Sequence, residues 1–234
     1  MLAIFKKDFR GFFTSPIGYT FIAFFLVIMN WSFYFINIQY ATSDLSSLFS
    51  QMLTVLCFIV PLLTMRLFSE ELKLKTDQLL FTSPVGVWSI VLGKFFAAMS
   101  VFIIALVCTA PWSIIVTMFG TPQTASIVGN YVAVICATGC FIAIGLFISS
   151  LTESQVIAAI GGFAALYSIQ ILNIVANAIN VSWVKTIIGW FSIFTRYSSF
   201  TRGIFSLADI VYYLSFAGVF LFLTTRVLEK KRWS

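Results

Sequence analysis

Ile127-Val-Gly-Asn-Tyr-Val-Ala-Val-Ile-Cys-Ala-Thr-Gly-Cys-Phe-Ile-Ala-Ile-Gly-Leu-Phe-Ile-Ser149 carries no charged side chain and is apolar almost throughout. A helix that crosses the hydrocarbon of a bilayer needs about 20 such residues. Five other stretches read the same way, at residues 17–38, 48–68, 88–118, 155–178 and 209–227. The third is long enough to tilt or to start outside the hydrocarbon. Pro61 and Pro111 fall inside the second and third stretches, and each predicts a local kink. The connections at 41–47, 120–126 and 150–154 are short, and no internal repeat or low-complexity tract stands out. The expected fold is therefore an all-α membrane protein of six transmembrane helices, with residues 1–234 forming one domain.

Composition agrees. Of 234 residues, 60% are hydrophobic and 9% are charged, whereas a soluble domain is about a quarter charged. The formal net charge of +6 does not call for nucleic acid, because basic residues mark the cytoplasmic side of a membrane protein. With the N-terminus inside, that side holds Lys6, Lys7, Arg10, Arg66, Lys73, Lys75, Lys94, Arg226, Lys230, Lys231 and Arg232, or 11 of the 14. Both termini are then expected in the cytoplasm, and the chain in the cytoplasmic (inner) membrane. Residues 1–14 set Phe5, Phe9, Phe12 and Phe13 beside Lys6, Lys7 and Arg10, which suits an interfacial helix. The apolar stretch that follows is too long for a signal peptide and lacks a cleavage site.

The chemistry-bearing motifs are absent. There is no GxxxxGK[ST] loop, no His, no GxSxG and no HExxH. No acidic residue lies at the centre of a predicted span, where a proton-coupled carrier or intramembrane hydrolase keeps one. Cys57, Cys108, Cys136 and Cys140 sit in apolar runs and read as small hydrophobes. The chain is not expected to be an enzyme: it offers no catalytic residue, metal site or cofactor site.

The one long charged connection of the first half is Arg66-Leu-Phe-Ser-Glu-Glu-Leu-Lys-Leu-Lys-Thr-Asp-Gln-Leu-Leu-Phe-Thr-Ser-Pro-Val85. Ser69 has the side chain to cap a short helix here, with Glu70 and Glu71 at its N-terminal end and Pro84 closing it. Leu72, Leu79 and Leu80 recur at helical spacing, while Lys73, Lys75 and Asp77 point elsewhere. Such an amphipathic helix either lies at the interface or enters a groove of another protein.

This segment, continued through Ile90-Val-Leu-Gly-Lys94, resembles the link between the second and third spans of ABC-2-type export permeases. Ser149-Ser-Leu-Thr-Glu-Ser-Gln155 is similar to that family's turn between the fourth and fifth spans. Thr201-Arg-Gly-Ile-Phe and Asp209-Ile-Val-Tyr-Tyr resemble the approach to its sixth. The gliding-motility-type branch is the nearest likeness. One departure is Lys75, where many relatives have Gly, and this leaves the helix less breakable there.

The resemblance implies an ATP-binding cassette exporter whose ATP is hydrolysed by a separate subunit. Glu70, Glu71, Lys73, Lys75, Thr76, Asp77, Gln78, Leu79, Leu80, Thr82, Ser83 and Pro84 would form the coupling helix, seated in a cleft of that ATPase. Glu153 would make a second, smaller contact. Residues 1–14 would be the elbow helix, and 180–208 a pair of short outer re-entrant helices, with Trp183, Trp190, Phe191 and Phe194 at the boundary. Lys185, Arg196 and Arg202 would either attract an anionic substrate or snorkel to solvent. The implied partners are two ATPase copies, a second permease chain (identical or related) and membrane lipid, without nucleic acid. Ala158, Gly162 and Ala165 would either face that second permease or pack within one subunit. The alternative function is a non-transporting scaffold or anchor of an ABC-linked machine.

Overall fold

Ser15, in extended backbone (φ −93°, ψ 157°), and Pro16 at the first helical position divide the basic, aromatic N-terminus from the first long apolar run. The protein is described from a computed structural model covering residues 1–76, 86–120, 124–178, 193–201 and 207–233. Those residues form nine α-helices and one π-helical segment. They are α1 (Leu2–Thr14), α2 (Pro16–Phe33, continued by the π segment Tyr34–Ile38), α3 (Ser46–Lys73), α4 (Val87–Val107) and α5 (Pro111–Val116), followed by α6 (Thr124–Leu151), α7 (Gln155–Ala178), α8 (Ile193–Thr201) and α9 (Leu207–Trp233).

Five segments are long and apolar enough to cross a membrane: Pro16–Ile38, Ser46–Lys73, Val87–Val116, Thr124–Leu151 and Leu207–Arg232. The 24-residue α7 is a further apolar helix between the last two. This is a multi-pass α-helical membrane protein. α6 is its centre, since 72% of its most apolar window is buried inside the chain, against 28% for α9. Small residues make this possible, because Ala133, Ala137 and Ala143 let neighbouring helices close on a strand of chain that is apolar all round.

The two prolines behave differently. α3 runs through Pro61 as one helix, and the ring is backed by Gly162 of α7, where an added Cβ would lie 3.2 Å from Pro61 Cβ. That contact, with Ala158 buried as well, packs Gly162 and Ala158 inside this chain, while Ala165 is half-buried. At Pro111 the helix breaks: α4 ends at Val107 and Pro111 starts α5. The freed carbonyls find side chains, Thr109 Oγ1 donating to Leu106 O at 2.6 Å and Tyr131 OH to Thr109 O at 3.1 Å.

The second crossing departs from expectation at its end. Ser69 caps nothing; it lies within α3 and its hydroxyl donates to Met65 O of the preceding turn. Glu70 and Glu71 accordingly belong to the C-terminal end of the spanning helix. α3 stops through a Schellman arrangement, in which Thr76 N donates to Glu71 O and Lys75 N to Leu72 O. Lys75 occupies the left-handed position with φ 54°. The helix therefore breaks at Lys75, against the expectation that lysine leaves it less breakable there. A left-handed L-residue costs roughly 1–2 kcal/mol, while glycine in the same place costs roughly 0.5–1 kcal/mol of backbone entropy. Lys75→Gly is expected to be neutral to stabilising, by up to about 1 kcal/mol, and Lys75→Ala to gain nothing. Thermal unfolding of the two purified variants checks this; an equal response would remove the strain argument.

Candidate functional site

α4 buries a lysine. Lys94 lies two turns into an apolar helix with its side chain 2% exposed, a position where an unpaired ammonium would cost several kcal/mol. It is fully engaged. Its Nζ donates to Leu67 O at 2.7 Å and meets Glu71 Oε2 at 2.9 Å. Asp8 Oδ2 of α1 stands 3.3 Å away, and the Phe68 ring centroid lies at 5.1 Å. The other oxygen of Glu71 accepts from Lys7 Nζ at 2.8 Å.

Two ammonium groups and two carboxylates thus tie α1, the end of α3 and the start of α4 together. Burial pushes the Asp8 carboxyl above its usual range, ahead of the opposing pull of Lys94. Burial works against the Lys7 charge, yet its hydrogen bond to Glu71 and the charge of that carboxylate hold its ammonium above the usual value. A neutral quartet of this kind resists sliding, because displacing any one helix strands a charge in a poorly solvated place.

The same end of the bundle carries a second polar joint. Ser149 of α6 donates to Met65 O at 3.0 Å and accepts the Phe68 and Ser69 amides at 3.2 Å each. At the adjacent residue, Lys231 of α9 donates to Ser150 O at 2.9 Å, at the C-terminus of α6. Glu153 is exposed in the turn just beyond. These contacts gather the C-terminal ends of α3, α6 and α9, the N-terminus of α4 and all of α1 at one end. That end holds the basic residues read from the sequence as cytoplasmic.

Of the coupling residues inferred from the sequence, the described ones divide into two roles. Glu71 belongs to the quartet, and Glu70 pairs with Arg66 one turn earlier. Lys73 and Lys75 are exposed, and Thr76 Oγ1 bonds Glu71 O at 3.4 Å. Asp77, Gln78, Leu79, Leu80, Thr82, Ser83 and Pro84 lie outside the described residues. So do Trp183, Lys185, Trp190, Phe191 and Arg202, and with them most of the outer re-entrant pair; only α8 of that region is described.

Arg196 pairs with Asp209 at 2.9 Å and lies over the Tyr212 ring at 4.3 Å. Asp8 and the role of Lys94 were not singled out in the sequence. The available signal was a lysine well inside an apolar helix, since an ionisable group there calls for a named partner.

An all-helical bundle of apolar spans, with an amphipathic N-terminal helix bound by ion pairs to the base of two of them, defines a multi-pass α-helical membrane protein. Residues 2–233 match the family model described as ABC-2 family transporter protein. The chain belongs to that family and is the membrane-embedded, non-catalytic component of an ABC transporter. Family membership implies association with an ABC ATPase subunit. No curated protein matches it.

Proposed function

We propose that this permease exports its substrate from the cytoplasm, powered by ATP hydrolysed on two copies of a separate subunit, and that it pairs with a second permease chain. Its membrane would be the cytoplasmic (inner) one, with both termini and the basic end of the bundle facing the cytoplasm, as the distribution of Lys and Arg favours. The work would enter through residues 70–84. What carries the reading is the Lys7–Glu71–Lys94–Asp8 quartet. Its Glu71 lies at the start of the segment that resembles the coupling helix, so a push on that segment would reach α1, α3 and α4 together instead of bending one helix. Glu153, exposed at the same end, would add the second contact.

Replacing Asp77 with Lys and both Leu79 and Leu80 with Glu tests the coupling. Recovery of the ATPase with the tagged permease should fall about tenfold, a loss of ~1.4 kcal/mol, and transport-stimulated hydrolysis should vanish, while membrane insertion is unchanged. A complex that still forms with full turnover would refute this coupling assignment.

A further inference from the structure

Leu2, Phe5, Phe9 and Phe13 share one line along α1, at the three- and four-residue spacing of a single helix face. The three rings follow one another at centroid distances of 5.7 Å and 5.1 Å, and Tyr19 of α2 continues the row 5.3 Å beyond Phe13. Leu2 is 79% and Tyr19 60% exposed, so the row runs on into the outer, lipid-facing surface of the first span. To one side of it, Ile4, Asp8 and Phe12 face the bundle, Ile4 and Phe12 buried and Asp8 against Lys94. To the other side, away from the bundle, lie Lys6 and Arg10, one turn apart.

The three cations of α1 therefore differ. Lys7 is bound to Glu71. Lys6 and Arg10 are exposed and have no ion-pair partner among the described residues. The nearby acids are already committed: Asp8 and Glu71 to the quartet, and Glu70 to Arg66. The outer edge of α1 thus carries two unneutralised positive charges beside an apolar row.

We infer that this edge is a binding surface for anionic glycerophospholipid headgroups of the leaflet in which α1 lies, with Lys6 and Arg10 on the phosphates and the row from Leu2 to Phe13 in the acyl boundary. An amphipathic helix at an interface gains from its buried apolar area and from attraction to anionic lipid, and long basic side chains reach the headgroups while their stems stay apolar. A zwitterionic headgroup carries as much positive as negative charge and offers two free cations no net attraction. An anionic leaflet adds roughly fivefold in affinity for each basic residue near its surface. A soluble acidic partner would match the charges but leave the apolar row, continuous with the lipid-facing side of α2, without a use. Because the quartet ties α1 to α3 and α4, leaflet charge also sets how firmly that joint is seated. The surface stands on this geometry and does not depend on the direction or energy source of transport.

The test follows hydrogen–deuterium exchange of the full chain by mass spectrometry in two kinds of nanodisc, one of dioleoyl phosphatidylcholine alone and one of equimolar dioleoyl phosphatidylcholine and dioleoyl phosphatidylglycerol. The amides of α1 exchange roughly 25-fold more slowly in the second, the product of two such contributions, and added salt shrinks the difference. Lys6→Gln with Arg10→Gln abolishes the difference, while exchange of α6 at the centre of the bundle is unchanged, which shows the fold intact. The charge-preserving pair Lys6→Arg and Arg10→Lys keeps it. Equal exchange of wild-type α1 in the two discs would overturn the surface, as would a full difference in the double Gln variant. Slowing of α1 by inorganic phosphate added to the phosphatidylcholine discs would overturn the lipid as the ligand in favour of a free anion.

Discussion

Lys94→Met unfolds at a temperature roughly 10 °C below the wild type in detergent, corresponding to a loss of about 3–5 kcal/mol. Methionine matches the length and volume of lysine, so the change leaves no cavity and isolates the charge. Two carboxylates, Glu71 and Asp8, then face each other across the junction with Lys7 alone to neutralise them. Lys7 is 60% exposed and already committed to the far oxygen of Glu71, so it cannot replace a buried ammonium. Leu67 O loses its donor at 2.7 Å as well. Removing one partner of a buried pair is the costly direction, whereas replacing both by apolar groups is often close to neutral. Lys94→Met with Glu71→Leu should therefore recover most of the lost stability, leaving Asp8 to Lys7. The double-mutant cycle then yields a coupling energy well above the few tenths expected of independent sites. Should Lys94→Met match the wild type in thermal unfolding, the ammonium is not what holds α1, α3 and α4 together. A functional reading adds discrimination: the double variant would be stable but poorly coupled, with ATPase stimulation reduced far more than folding.

Much of the bundle was legible because lipid imposes its own pattern. Residues 17–38 and 127–149 were read as spans, and Pro16–Ile38 and Thr124–Leu151 are long and apolar enough to cross a membrane, while 155–178, read likewise, falls on the apolar helix Gln155–Ala178. A solvent that cannot hydrogen-bond forces long apolar helices, and the ends are marked where polar residues resume. What stayed hidden was set by contacts distant in sequence. Ser69 has the residue type of a cap, yet Ser149, 80 positions later, fixes it as a joint between two spans. Pro61 and Pro111 are alike in sequence, and their outcomes differ because Gly162 supports one helix while Tyr131 and Thr109 satisfy the break in the other. Asp8 is the one acidic residue of α1, and only the approach of α4 reveals its partner. The left-handed Lys75 runs against the local preference of its side chain, and it is held by two backbone hydrogen bonds that no residue pattern announces. The candidate site was thus half readable: Glu71 from its place in the segment, Lys94 only as a lysine well inside an apolar stretch, and Asp8 from the fold alone.

Gly145→Ala carries the second large effect, because α3 and α6 meet there with no space for a methyl group. A Cβ built on Gly145 would lie 2.8 Å from Thr64 Cβ and 3.1 Å from its Cγ2, with Thr64 Oγ1 nearer still. Favourable carbon–carbon contact is at about 3.5–4.0 Å. Rotating the threonine does not relieve the clash, since its Cβ is fixed by the backbone and its hydroxyl is held by Val60 O at 3.1 Å. One helix must move, and the Ser149 joint one turn along opposes that movement. The expected loss is about 1–3 kcal/mol, seen as a lower unfolding temperature and as weaker association of α3 with α6 in limited proteolysis. Thr64→Gly removes the opposing Cβ and is itself destabilising by about 1 kcal/mol through backbone entropy. Combined with Gly145→Ala it should cost less than the sum of the two single changes, because the pair exchanges which helix supplies the small residue. Strict additivity would mean that the two helices separate freely at this level, and that the seam between them is not the rigid element on which the quartet at its foot relies.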